Sequence, residues 1–101
     1  VRKDKIYLAL ASRVGCIPCL NNGFPDTPAE LHHPTKGVGM AQKSEDRKVI
    51  SLCPIHHRLG GHGELAIHMG IETWEARYGS EEELLVQMLE EVQKVRDMYV
   101  I

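Results

Sequence analysis

Two short segments constrain this chain more than anything else in it: Cys16-Ile17-Pro18-Cys19 and Cys53-Pro54-Ile55-His56. Both place two metal-binding side chains on either side of a two-residue spacer, a spacing that lets both donors turn toward one point. Three thiolates and one imidazole form the soft four-ligand set that tetrahedral zinc prefers. The competing readings are ordinary buried thiols or a redox pair. A redox Cys-x-x-Cys is expected to open a helix within a βαβ pattern, which this sequence lacks. Three cysteines cannot all pair with one another as disulfides. A structural Zn2+ on Cys16, Cys19, Cys53 and His56 is the stronger reading.

The size of the chain makes such a staple useful. At 101 residues it is read as a single domain, 1–101, with one Phe and one Trp to fill its core. Small, aromatic-poor cores gain from a metal that ties distant segments together. Val1 is read as the start of a fragment or processed chain. With no apolar leader and no run long enough to span a bilayer, the expected setting is reduced and cytoplasmic, with no membrane partner.

The formal net charge of -2 argues at first sight against a nucleic-acid partner. Its distribution argues less strongly. Arg2, Lys3, Lys5 and Arg13 gather in the first segment, and Lys36, Lys43, Arg47, Lys48 and Arg58 in the middle. The acid lies mainly beyond residue 63, in Glu81-Glu82-Glu83 and Glu90-Glu91. Backbone binding needs a local positive face and not a basic total. The alternative is ordinary solvated surface charge.

Hydrophobic spacing outlines an α+β chain. A helix is expected over residues 4–13, capped by Asp4, with Ile6, Leu10 and Val14 on its buried face. Gly15 ends it and opens the turn carrying Cys16 and Cys19, and residues 20–30 read as loop. Ala29 to His33 and Val49 to Leu52 read as two short strands, followed by a helix near His56: a ββα order. Gly60, Gly61 and Gly63 make residues 58–63 a loop or broken turn. Ser80 and Glu83 form a capping box for a long C-terminal helix over 80–101. Its stripe is Leu84, Leu85, Met88, Leu89, Val92, Val95 and Met98 or Tyr99. That stripe is expected to pack on the metal-centred body of a monomer, a dimer seam being the alternative.

Four ligands for one zinc leave histidines over. His32 and His33 are adjacent in the first strand, so their side chains point to opposite sides. His57 follows the zinc ligand His56 directly. An exposed histidine pair by itself is weak evidence, but two pairs, each associated with an apolar strand, can supply both neutral imidazoles for an ion and a separate base for water.

Glu30-Leu31-His32-His33 followed by Val49-Ile50-Ser51-Leu52-Cys53-Pro54-Ile55-His56-His57 resembles the HNH, or ββα-metal, endonuclease motif. The leading Cys16-Ile17-Pro18-Cys19, the Gly37-x-Gly39-x-x-Gln42-Lys43-x-x-Asp46 stretch, and His68-Met69-Gly70 with Trp74-Glu75-Ala76-Arg77-Tyr78-Gly79 narrow the likeness. Together they resemble phage HNH proteins related to the recombination enhancement function (Ref) nuclease. The resemblance implies a zinc-stapled ββα-metal (HNH, His-Me finger) core over residues 16–79, flanked by an N-terminal helix within 1–15 and the long helix over 80–101.

It also implies roles. His33 matches the general base that activates water, His32 the first-strand ligand of a catalytic divalent metal, and His57 the helix-borne ligand of the same ion, which would be Mg2+, Mn2+ or Zn2+. Arg58 would contact the scissile phosphate, or stand as an ordinary surface arginine. The Asn that often orients the base has no counterpart before Cys53, Asp46 being the nearest candidate. The family's helix usually offers a further ligand four residues on, but position 61 is glycine. His62 would lie about 140° around an ideal helix from His57. His68 would lie about 16 Å along the axis, unless the glycines break the helix and fold it back, so His68 is the expected third ligand over His62. The implied partner is DNA, gripped by its backbone with low sequence specificity, with a RecA-type recombinase filament as a further partner in the cytoplasm of a phage host. The alternative from another class is a non-catalytic zinc-stabilised module binding nucleic acid or protein. A zinc-stabilised structural phage protein is a third.

Overall fold

The computed structural model describes residues 5–34 and 48–99. Asp4, Lys36, Lys43, Asp46 and Arg47 lie outside the described residues, and so do the expected Asp4 cap, the Gly37-to-Asp46 stretch and most of the expected middle basic segment. In chain order the elements are α1 (Lys5–Ala11), α2 (Ile17–Asn21), β1 (Glu30–His32) and β2 (Ile50–Leu52). A π-helical turn (Ile55–Leu59) and a 3₁₀ turn (Ile67–Met69) follow, and then α3 (Ile71–Tyr78) and α4 (Glu81–Met98). This is a small α+β fold whose strands form a two-stranded antiparallel sheet.

The sheet is short and its register sets the rest. Glu30 pairs with Leu52, Leu31 with Ser51 and His32 with Ile50. All three residues of β2 are fully buried, because helices cover it on both sides. Ser51 satisfies its buried hydroxyl by donating to the Ala11 carbonyl of α1 at 2.8 Å. Alternation along β1 puts Glu30 and His32 on one face.

Helix α1 buries a face rotated from the expected one: Val14 is buried and Leu10 partly buried as expected, but Ile6 is not. Ile6 is 68% exposed, whereas Tyr7, Ala11 and Val14 are buried. Aliphatic residues occur all round this helix, so spacing alone cannot choose a side. The small Ala11 allows the close approach to β2 that the Ser51 hydrogen bond requires. The core continues through Ile17, Val49, Ile67 and Trp74 to Leu84, Met88 and Val92 of α4.

Helix α4 begins as expected. Ser80 accepts from the Glu83 N–H at 3.0 Å and Glu83 accepts from the Ser80 N–H at 2.9 Å, closing the capping box. Its buried stripe is narrower than the expected one. Leu84, Met88 and Val92 are buried and Leu85 and Val95 partly so, but Leu89, Met98 and Tyr99 are exposed. A body this small offers contact to only one side of the helix. No described helix is long and apolar enough to cross a membrane.

Candidate metal centres

The Cys16–Cys19 knuckle is built on a glycine and a short helix. Gly15 has φ +84°, and a Cβ there would come within 3.2 Å of the Thr27 carbonyl oxygen, so only glycine fits. The Cys16 N–H donates to that same carbonyl at 3.0 Å. Cys16 then caps α2, and Cys19 lies inside it, where the sequence reading has a turn followed by loop. Across the molecule Cys53 follows β2 directly, and His56 lies within the π-helical turn.

The four side chains converge. Nδ1 of His56 lies 3.4 Å from Cys16 Sγ, 3.6 Å from Cys19 Sγ and 3.2 Å from Cys53 Sγ. The Cys19 and Cys53 sulfurs are 4.0 Å apart, and all four ligand atoms fall within 4.8 Å of one another. A disulfide would need about 2.05 Å. A tetrahedral ion with bonds of about 2.0–2.3 Å needs its ligand atoms roughly 3.3–3.8 Å apart. The cluster matches the ion and not the disulfide. Burial pushes the Cys16 and Cys19 thiols up, the reverse of the lowered value of a redox-active cysteine.

His56 is held from outside as firmly as from within. Its Nε2–H donates to Glu64 at 2.9 Å, which leaves Nδ1 for the sulfurs. Glu64 also accepts from the Tyr78 hydroxyl at 2.7 Å and pairs with Arg77 at 3.5 Å. The Tyr78 hydrogen bond, aided by His56, keeps the Glu64 carboxyl below its ordinary range. Tyr78, itself pushed up by burial and by Glu64, stands edge-on to the His56 ring at 4.9 Å. The His56 carbonyl accepts from the buried Trp74 indole at 3.0 Å.

The same turn carries His57 to a second centre. The turn closes with Gly60 N–H to Ile55 C=O at 2.8 Å, an i→i+5 bond, at a glycine with φ +68°. Arg58 and Leu59 therefore close the π-helical turn, inside the stretch 58–63 expected as a loop or broken turn. His57, His32 and His68 bring one ligand atom each within 4.8 Å of one another. Their ring centroids are 4.3 Å apart for His57–His68, 5.3 Å for His32–His57 and 5.7 Å for His32–His68. The glycine-rich turn and the 3₁₀ turn return His68 to this point. His62 is exposed, with φ +58°, and joins neither cluster.

Two carboxylates stand behind the histidines. The His57 Nδ1–H donates to Glu30 Oε1 at 2.8 Å, and Arg58 grips Glu30 with Nε at 3.0 Å and Nη2 at 2.8 Å. The Arg58 guanidinium, with help from His57, holds the Glu30 carboxyl down to about 2. Arg58 is thus engaged with Glu30, and its own value is raised by that partner. The His32 Nε2–H donates to Glu81 Oε2 at 2.8 Å. Burial pulls His32 down, Glu81 partly opposing it. Glu81 is 3% exposed, and among the described residues its Oε1 has no hydrogen-bond partner. A buried carboxylate with one oxygen on a histidine and the other unpartnered among the described residues is electrostatically incomplete. A divalent cation on the other nitrogen of His32 would complete it, and three imidazoles with an open side suit such an ion.

His33 is exposed and outside the cluster. It lines, with His32, His68, Met69, Ile71 and Glu81, a cavity of about 410 Å³ beside the three histidines. Glu30, Glu64 and Glu81 carried no role in the sequence reading. Glu30 has a signal, standing two residues before His32 on the same strand face. Glu64 and Glu81 have none, since acids after a glycine turn or in a helix's first turn read as solvated charge.

The model of one protein family, described as recombination enhancement, RecA-dependent nuclease, matches residues 1–93 of the chain. No curated protein and no solved structure matches it.

Proposed function

Because the chain belongs to the family of recombination-enhancement, RecA-dependent nucleases, we propose that it is a metal-dependent DNA endonuclease of the HNH, ββα-metal type. The observation that carries this reading is the convergence of His32, His57 and His68 on one point, beside a cavity that His33 also lines. The strand pair and the turn after it supply the ββα order, with a π-helical turn where the type has a longer helix. Zinc on Cys16, Cys19, Cys53 and His56 holds that turn in place.

In this reading His32, His57 and His68 hold a divalent ion: Mg2+, Mn2+ or Zn2+. An ion held there would supply Lewis-acid stabilisation of the negative charge that builds up as the phosphodiester is cleaved. His33 takes the proton of a water that attacks phosphorus, the P–O3′ bond breaks, the departing 3′ oxygen takes a proton from solvent water, and the products are a 5′-phosphate and a 3′-hydroxyl. The cavity is small and its polar side chains are three imidazoles and the Glu81 carboxylate, so a backbone phosphate would be held there through the ion's charge, and a site that grips the backbone has low sequence specificity. The substrate is DNA engaged by a RecA-type filament, in the cytoplasm of a phage-infected bacterium.

The test is nicking of supercoiled plasmid, and cleavage of linear, single-stranded and D-loop DNA, with and without the filament and across a divalent-metal titration. The expected result is metal-dependent cleavage that His33→Ala abolishes while DNA binding and fold persist. DNA binding with no cleavage under any of these conditions would leave a non-catalytic zinc module in its place.

A further inference from the structure

We propose that Glu81 and Glu30 are positioning residues for the three-histidine centre, each fixing the ring nitrogen its histidine presents and strengthening that nitrogen's hold on a divalent ion. Glu81 is the stronger of the two. The inference rests on the metal reading of that centre given above and adds the carboxylates that tune it.

The argument begins with donor bookkeeping. A neutral imidazole has one N–H and one lone pair, so the nitrogen that donates leaves the other to bind. His32 donates through Nε2 to Glu81, and His57 donates through Nδ1 to Glu30. Nδ1 of His32 and Nε2 of His57 are then the nitrogens with lone pairs. A carboxylate behind a ligating histidine locks the tautomer and the ring plane and makes the ring a better donor.

The two pairs come from unrelated parts of the chain. Glu30 shares a strand face with His32 but serves His57, while Glu81 opens α4 and reaches across to β1. Their surroundings differ in the way that ranks them. Glu30 is partly exposed, and its charge is largely matched by the two-nitrogen grip of Arg58. Glu81 is almost fully buried, its Oε2 held by His32 and its Oε1 without a partner among the described residues. Little there disperses or screens the Glu81 charge, so more of it acts through His32 on a bound cation. The Glu81 backbone N–H is tied to Glu75 Oε2 at 2.8 Å and the preceding residue is the cap of α4, so the carboxylate is anchored from the helix side.

The measurement is a titration of Co2+ into the zinc-loaded full chain, followed by its visible d–d bands. A histidine centre gives those bands without the near-ultraviolet thiolate charge-transfer absorption that marks exchange into the cysteine site. Glu81→Gln keeps the size and one acceptor oxygen but removes the charge. It should weaken cobalt binding about 10–100-fold, and Glu30→Gln should weaken it less, in the same direction. A merely structural Glu81 would lower the thermal midpoint and leave cobalt affinity where it was; that result overturns the proposal. If Glu81→Gln does not fold, Glu30→Gln decides alone, an unchanged cobalt affinity being the overturning result. Wild-type protein with no thiolate-free cobalt spectrum would remove the metal reading and this inference together. Tight wild-type binding with indifferent variants would remove this inference only, and plasmid nicking by the same preparations would show the nuclease reading standing.

Discussion

His56 and His57 are neighbours on one turn, yet they serve centres of opposite character. The centre holding His56 is closed: Cys16, Cys53 and His56 are buried, and three sulfurs and one nitrogen lie within 4.8 Å of one another. The centre holding His57 grades from the buried His32 through a half-buried His57 to an exposed His68, and it borders a cavity. Structural zinc sites fill all four positions, while catalytic sites keep one open. The outer shells match this difference. Glu64, Tyr78 and Trp74 clamp the closed centre through several hydrogen bonds, whereas the open one relies on a single carboxylate behind each of two histidines. One turn thus joins a buried cluster to one that opens on a cavity.

The largest effect expected from this contrast is on the closed centre. Cys16→Ser should release the zinc and abolish the cooperative thermal transition, since structural zinc in small domains is worth roughly 10–16 kcal/mol of apparent binding energy. Elemental analysis and calorimetry check it. A variant with stoichiometric zinc and an unmoved midpoint would break the comparison outright.

At the open centre the effects should fall on chemistry and spare the fold. His33→Ala is expected to lower the single-turnover cleavage rate by about 10²–10⁴ with zinc content and thermal midpoint unchanged. Wild-type rates in that variant would move the base elsewhere.

A smaller effect separates the two remaining histidines. His68→Ala should raise the Mg2+ or Mn2+ concentration for half-maximal cleavage by about 10–100-fold, the scale of losses seen when metal-site support is removed. His62→Ala, on a residue that joins neither cluster, should cleave as the wild type does. A defect confined to the His62 variant would reverse the pair.

The smallest effect tests how far the open centre depends on α4. Ser80→Ala removes the cap immediately before Glu81 and should cost about 1 kcal/mol. For a chain of this size that corresponds to a midpoint lowered by roughly 4–8 °C. Zinc stoichiometry should not change. A midpoint equal to the wild type would mean that the cap contributes nothing to the start of α4.

What is legible in the sequence follows from the range of the interactions. The Cys-x-x-Cys and Cys-x-x-His spacings announce a cluster because a metal knuckle is local, and Ser80 and Glu83 announce a helix start for the same reason. The first strand is legible as a short stretch between Pro28 and Pro34, and the second in the apolar run around Ile50. The return of His68 is accessible once Gly60, Gly61 and Gly63 are read as breaking the helix. The π-helical turn is not visible, because its extra residue is accommodated by Gly60 and by contacts with Trp74 and Tyr78 far along the chain. The buried side of α1 is decided by the fit of Ala11 against Ser51, a pairing across 40 positions. Glu81 looks like one of three surface acids, and only the fold shows that it stands behind His32.

The hydrogen bond from Trp74 to the His56 carbonyl has a practical consequence. This is the chain's one tryptophan, fully buried and seated on the backbone of a cysteine-site ligand. Its fluorescence is therefore a built-in optical gauge of one centre and not the other. Stripping the cysteine site should shift the emission to the red as the indole meets water, while filling or emptying the histidine site with a non-quenching ion should leave its colour alone. A single cuvette can then follow the two sites separately, with no label attached to the protein.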